Sequence, residues 1–145
     1  MRLRTLLLPI ILLALAGCGE DEEALKEGPF LFLDRESLGF DVEFGSGTYV
    51  GATGFNTLYI ENRGDQPLEI KQVTKSGDGV FTLRLPQELS EGKSLVLESR
   101  KITFVEVQFK PTQAKDYTGT FTIESNAGNG ATKAIPLTGR GIPPP

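Results

Sequence analysis

The sequence predicts an all-β protein: an antiparallel β-sandwich of seven or eight strands behind a short apolar leader and an acidic tether. Three observations carry this. From Phe30 onward no stretch sustains an apolar helical stripe for eleven residues. Short runs of β-branched and aromatic residues are instead punctuated by Gly, Asn and Pro, and within them apolar and polar side chains alternate with the period of a half-buried strand. The chain has 145 residues, 39% hydrophobic and 23% charged, which suits one globular domain and is too short for two of ordinary size.

Residues 1–17 read as an address. Met1-Arg2-Leu3-Arg4 is a basic start, and the apolar run from Leu6 to Ala16 follows it. As a helix that run spans roughly 16 Å at ~1.5 Å per residue, about half of a ~30 Å hydrocarbon core, so it fits a secretory signal rather than a membrane span. Leu15-Ala16-Gly17-Cys18 resembles the lipobox of bacterial lipoproteins, with small side chains beside the bond to be cut and a thiol just after it. The resemblance implies cleavage between Gly17 and Cys18, a diacylglyceryl group on the Cys18 sulfur, and an acylated new amino terminus. Two or three such chains hold a protein durably on a membrane, where one short chain holds it only marginally. Residues 18–29 then form a tether, because the cluster Glu20-Asp21-Glu22-Glu23 stays solvated. In enterobacterial lipoproteins an Asp after the Cys retains the protein in the inner membrane. Gly19 stands there instead, which favours the outer membrane on its periplasmic face or the cell surface, and the acidic run is either an export signal or a spacer.

The strands follow in order across residues 30–141. Phe30 to Leu33 is a lead-in or edge strand, and Leu38, Phe40 and Val42 share one face of the next. From Phe55 to Glu61, Leu58 and Ile60 face one way and Phe55, Thr57 and Tyr59 the other. Leu68 to Val73 alternates and then loses phase, which places a bulge near Lys71. Val80 to Leu83 and Leu95 to Leu97 are short strands. Ile102 to Phe109 is the strongest: Val105, Val107 and Phe109 share one face, while Ile102, Phe104, Glu106 and Gln108 share the other. Tyr117, Phe121 and Ile123 line one face of the strand ending at Ser125. Asn129-Gly130 signals a hairpin into Ala134 to Thr138, where Pro136 implies an edge or a bulge. Residues 142–145 are a Pro-rich tail.

Strands of this number and spacing fit an immunoglobulin-like sandwich, without the Cys–Trp–Cys core of a true immunoglobulin domain. Four segments sharpen this. Asn62-Arg63-Gly64-Asp65-Gln66-Pro67-Leu68-Glu69-Ile70, Val107-Gln108-Phe109-Lys110-Pro111, the strand from Tyr117 ending in Ser125-Asn126, and Leu137-Thr138-Gly139-Arg140-Gly141 resemble, in that order, motifs of the ASH group and of bacterial choice-of-anchor D modules. The resemblance covers residues 38–141 and departs at Ser99-Arg100, where many relatives carry a Pro-Gly turn. These residues make sense as structure. Asn62 and Gly64 suit a turn that needs left-handed backbone or side-chain-to-backbone bonding, Pro111 ends a strand, and Tyr117 can return its hydroxyl to nearby backbone as in a tyrosine corner.

Composition excludes much chemistry. There is no His, no Trp and one Cys, which removes His-based and thiol–His catalysis, an internal disulfide and a Cys/His metal cage. No cofactor and no metal are expected. Nineteen acidic against fifteen basic residues argue against a nucleic-acid partner. Gly45-Ser46-Gly47-Thr48-Tyr49-Val50-Gly51 misplaces the third glycine of a dinucleotide loop, and Ser76-Gly77-Asp78-Gly79 carries one carboxylate, too few for calcium. Glu88 and Glu91, like Glu22 and Glu23, fall in a loop or the tether rather than a cleft. The expectation is a non-enzymatic, lipid-anchored cell-envelope protein. Its membrane attachment runs through Cys18, and its sandwich serves protein–protein interaction or structural support through edge strands and the loops 43–54, 74–79 and 86–93. The alternative is a carbohydrate- or envelope-polymer-binding module using Tyr49, Tyr59 and Tyr117.

Overall fold

Alternation decides which side chains meet between the sheets. Leu58 and Ile60, then Val105, Val107 and Phe109, then Tyr117, Phe121 and Ile123 are all buried, while Phe55, Tyr59, Ile102 and Phe104 stand outside. The computed structural model describes residues 23–40 and 46–145. The leader, Gly17, Cys18, the tether as far as Glu22 and the segment 41–45 with Val42 lie outside the described residues.

One sheet has four strands in the order β1 (Leu31–Leu33), β4 (Gly54–Asn62), β8 (Ile102–Phe109) and β6 (Phe81–Arg84). The other runs β2 (Leu38–Gly39), β10 (Thr132–Ile142), β9 (Asp116–Ser125), β5 (Leu68–Gly77) and β7 (Leu95–Leu97), with β3 (Thr48–Tyr49) also on β10. The long pairings are antiparallel, as expected of the sandwich. The two shortest strands differ, since β2 and β3 pair with β10 in parallel. A single helical turn, α1 (Gln87–Ser90), interrupts the loop 86–93 and buries Leu89.

Aromatic rings fill the middle of the core. Phe109 lies 5.0 Å from Phe81, 5.4 Å from Phe40 and 5.7 Å from Tyr117, centroid to centroid. Gly139 on the facing sheet makes room for it, because a Cβ there would come within 2.7 Å of the Phe109 ring. Gly141 allows a similar approach by the corner at residues 111–113, so both glycines of the last motif are required by packing rather than by backbone angle.

Three expectations are corrected. The segment 74–79 is not a loop: β5 continues to Gly77, with Thr74 opposite Thr122 and Ser76 opposite Thr120, leaving only a tight turn at Asp78 and Gly79. The loop 43–54 is partly strand, because β3 pairs with Gly141 and Ile142. The described part of the segment assigned to the tether, residues 23–29, is docked rather than extended. Lys26 donates to the Arg63 carbonyl and accepts from Asp65, Gly28 donates to the Asp65 carboxylate, and Glu23 pairs with Arg63 at 3.3 Å. Backbone pairing holds this stretch against the turn after β4. The shift in register between Ile70 and Gln72 is the bulge expected near Lys71.

Candidate interaction surface

The first feature is the corner where the chain enters the domain. Asn62 is fully buried, and every polar atom of its side chain is used: the amide donates to the carbonyls of Gln66 and Leu97, and its oxygen accepts from Gly64 and Phe30. This is the side-chain-to-backbone bonding expected of that turn. Gly64 does not sit at positive φ; it is needed because a Cβ would collide with the Gly28 carbonyl. Arg63 stacks 3.3 Å above the Phe32 ring, bonds Glu61 at 2.8 Å and reaches Glu23. Arg100 donates to the Glu23 carbonyl and is the only non-glycine residue at positive φ among the described residues (φ 65°).

The second feature is the outer face of the four-stranded sheet. Ile102 is 60% exposed, Phe104 55%, Tyr59 49% and Phe55 47%. Tyr59 lies directly opposite Phe104, with ring centroids 6.2 Å apart, and Ile102 lies opposite Glu61. The carboxylates bordering this row are ion-paired, Glu61 to Arg63, Glu106 to Arg84 at 3.7 Å, and Asp34, which accepts from the Tyr59 N–H, to Arg35 at 3.1 Å.

The third feature is an open strand edge. Ser125 donates to Ala131 and Gly141 to Lys115, so odd-numbered residues of β10 bond β9. Thr132, Ala134 and Pro136 therefore aim their backbone groups away from β9. On that side β10 is joined by β2 at Leu137 and Thr138, so among the described residues Thr132–Ile135 is the stretch with no paired neighbour. Pro136, which has no N–H to lose, fits this edge as its sequence implied. A groove of about 590 Å³ separates this edge from β1, lined by Phe30, Leu33, Glu36, Lys133, Ile135 and Pro136 among others. The β1 side is closed at Leu31, whose N–H and C=O are both held by the Asn129 side chain.

The rejected chemical candidates resolve as structure. Asp78 caps its turn by accepting from the Thr118 N–H, and among the described residues no group of His, Cys, Asp or Glu could hold a metal. Glu91 belongs to α1's exposed end, where bonds from Lys93 and Gln87 hold its carboxyl below the usual range. Arg140 does the same for Asp116. The three tyrosines share no platform: Tyr117 is buried with its hydroxyl bonded to Gln113 and Thr112, as in a tyrosine corner, Tyr49 belongs to β3 in the other sheet, and Tyr59 stands on the outer face.

The sequence profile of the family described as Cep192 domain 4 matches residues 41–142. No curated protein matches the chain in sequence. Among solved structures, the chain is similar to the ASH / PapD-like domain of human CEP192 (PapD-like domain 7), with TM-score 0.56 and 20% identity over 79% of this chain and 87% of that one. It is also similar to a protein of unknown function from Porphyromonas gingivalis W83, with TM-score 0.61 and 16% identity over 83% of this chain. The match spans 50% of that protein's length. These likenesses establish the fold: an ASH-like, immunoglobulin-like sandwich.

Proposed function

The chain belongs to the Cep192 domain 4 family, and from that premise we propose that it is a non-enzymatic, lipid-anchored protein of the cell envelope whose sandwich binds another protein. The observation that carries the binding role is the unpaired edge of β10 beside an apolar groove. An extended segment from a partner gains backbone hydrogen bonds to Thr132 and Ala134 and buries alternate side chains against Leu33, Ile135 and Pro136. Among the described residues, β2 leaves this edge unpaired before Leu137. Anchoring rests on the lipobox and its cysteine, Cys18.

Ala134→Pro tests the edge. The Ala134 N–H points away from β9, so the substitution removes an outward donor and no bond of the ladder. Site-specific photocrosslinking from position 132 in cells is expected to give a discrete adduct in the parent protein and to lose it in Ala134→Pro, with the melting temperature nearly unchanged. An adduct that survives the proline would place binding elsewhere.

A further inference from the structure

The exposed row on the four-stranded sheet has a neighbour that the chain itself supplies. Three apolar side chains, Ile102, Phe104 and Tyr59, stand about half exposed or more on adjoining positions of β8 and β4. The same end of the sheet is where the amino-terminal segment docks. Glu23 is held by Arg63, two residues after the Glu61 that faces Ile102, and by Arg100, two residues before Ile102. Five residue steps separate Glu23 from Cys18, a reach of at most about 18 Å at ~3.6 Å per residue. Alternate positions along a strand are roughly 7 Å apart, so the Tyr59–Phe104 pair, two such steps from Arg63 and Arg100, lies about 14 Å along the sheet, inside that reach. A lipid on Cys18 would therefore lie within reach of this face.

We propose that the outer face of the four-stranded sheet, at Ile102, Phe104 and Tyr59, rests on the lipid surface that carries the anchor. The proposal rests on the lipidation of Cys18 put forward above. The chemistry of the face suits a bilayer interface. Tyrosine and phenylalanine place an apolar body among acyl chains, with the phenol hydroxyl at the headgroups. The carboxylates among them, Glu61 and Glu106, are already ion-paired. Lys101 at the margin is an exposed cation beside the phosphates. A second copy is a poorer occupant. Three side chains that bury about 150–250 Å² each when fully covered offer roughly 300 Å² at half exposure, against about 800 Å² per partner for a stable dimer.

The absence of tryptophan makes the test clean. Full-length protein purified with its native modification is reconstituted into vesicles of phosphatidylethanolamine and phosphatidylglycerol doped with brominated phosphatidylcholine. Phe104→Trp is compared with Thr74→Trp, whose position faces outward on the opposite sheet. Flotation and the intact mass are read on the same samples. The expected result is loss of most of the emission at position 104, with a blue shift, and none at 74. Ile102→Glu in the Phe104→Trp background should restore the emission while the protein still floats. Equal, unquenched emission from both positions in protein that floats and carries lipid overturns the bilayer contact and leaves the anchor standing. A blue shift without quenching, in protein that elutes as a dimer, overturns it in favour of a second copy. A mass with residue 18 unmodified overturns the anchor, and the bilayer contact with it.

Discussion

Gly139 and Phe109 show how a motif residue can be fixed by one contact. The Phe109 ring touches three other rings and leaves no room for a methyl group on the strand across from it. Gly139→Ala is expected to cost about 1–3 kcal/mol by overpacking, and Phe109→Ala about 3–5 kcal/mol through the cavity it opens. The pair should not be additive. Shrinking the ring with Phe109→Leu makes room for the new methyl, so the double variant Gly139→Ala/Phe109→Leu should melt higher than the sum of the two single losses predicts, by a coupling of at least ~0.5 kcal/mol in chemical denaturation. Strict additivity would mean that Gly139 is not there for the ring. Arg100 is the opposite case, a side chain kept where backbone strain argues against one. Arg100→Gly relieves roughly 1–2 kcal/mol of left-handed strain and gives back part of it in unfolded-chain entropy. Thermal stability should rise by less than about 1 kcal/mol, while the amides of residues 23–28 exchange faster once the bond to the Glu23 carbonyl is gone. A lower melting temperature would show that the docked segment stabilises the domain by more than the strain costs.

Among the elements, those with one buried face were legible in the sequence, and those without were not. β4, β8 and β9 alternate because one side of each packs into the core, and their facings follow from that alternation alone. The second half of β5 carries no such signal. Thr74, Lys75 and Ser76 are exposed, and what extends the strand is the ladder to the threonine-rich half of β9, a partner that no local pattern can reveal. β3 is hidden in the same way inside a glycine-rich run, and α1 is one turn, too short for helical periodicity. The candidate edge was half legible: Pro136 marked it, but which side of β10 lies open emerges only from the pairing with β9 and β2. Hydrogen exchange separates strand from loop in β5. Asp78 donates to Thr118 in continuation of the ladder, so the amides of Thr74 and Ser76 point at β9 and should exchange slowly, alongside those of Thr120 and Thr122. Gly79, beyond the ladder, should exchange quickly. Uniformly fast exchange from 74 to 79 would restore the loop that the composition suggested.

At the scale of the whole molecule, the proposed attachment and orientation draw on different groups, and magnitudes assign them. Each buried CH₂ of a lipid chain contributes about 0.8 kcal/mol, so a single acyl chain outweighs anything the sheet can offer. Covering the exposed half of Ile102, Phe104 and Tyr59 contributes roughly 1 kcal/mol apiece. In the proposed arrangement the anchor decides whether the protein is on the membrane, and the aromatic row decides which way it faces. If the sheet lies toward the lipid, the six-stranded sheet with Thr74 and Thr138 on its outer surface is turned toward solvent. Two substitutions should therefore fail differently. Cys18→Ser removes the sole thiol and with it the proposed acyl acceptor, and incorporation of labelled palmitate should disappear while the domain, whose described core runs from Leu31 to Leu137, keeps its melting temperature. Phe104→Glu should leave palmitate incorporation and flotation intact and change only the protection of the outer face from a water-soluble probe, with Tyr59 becoming accessible to nitration on the vesicle. Palmitate incorporation that persists in Cys18→Ser would dissolve the division of labour, because the lipid would then be attached at another residue and the reach from Cys18 to the sheet would no longer set the geometry.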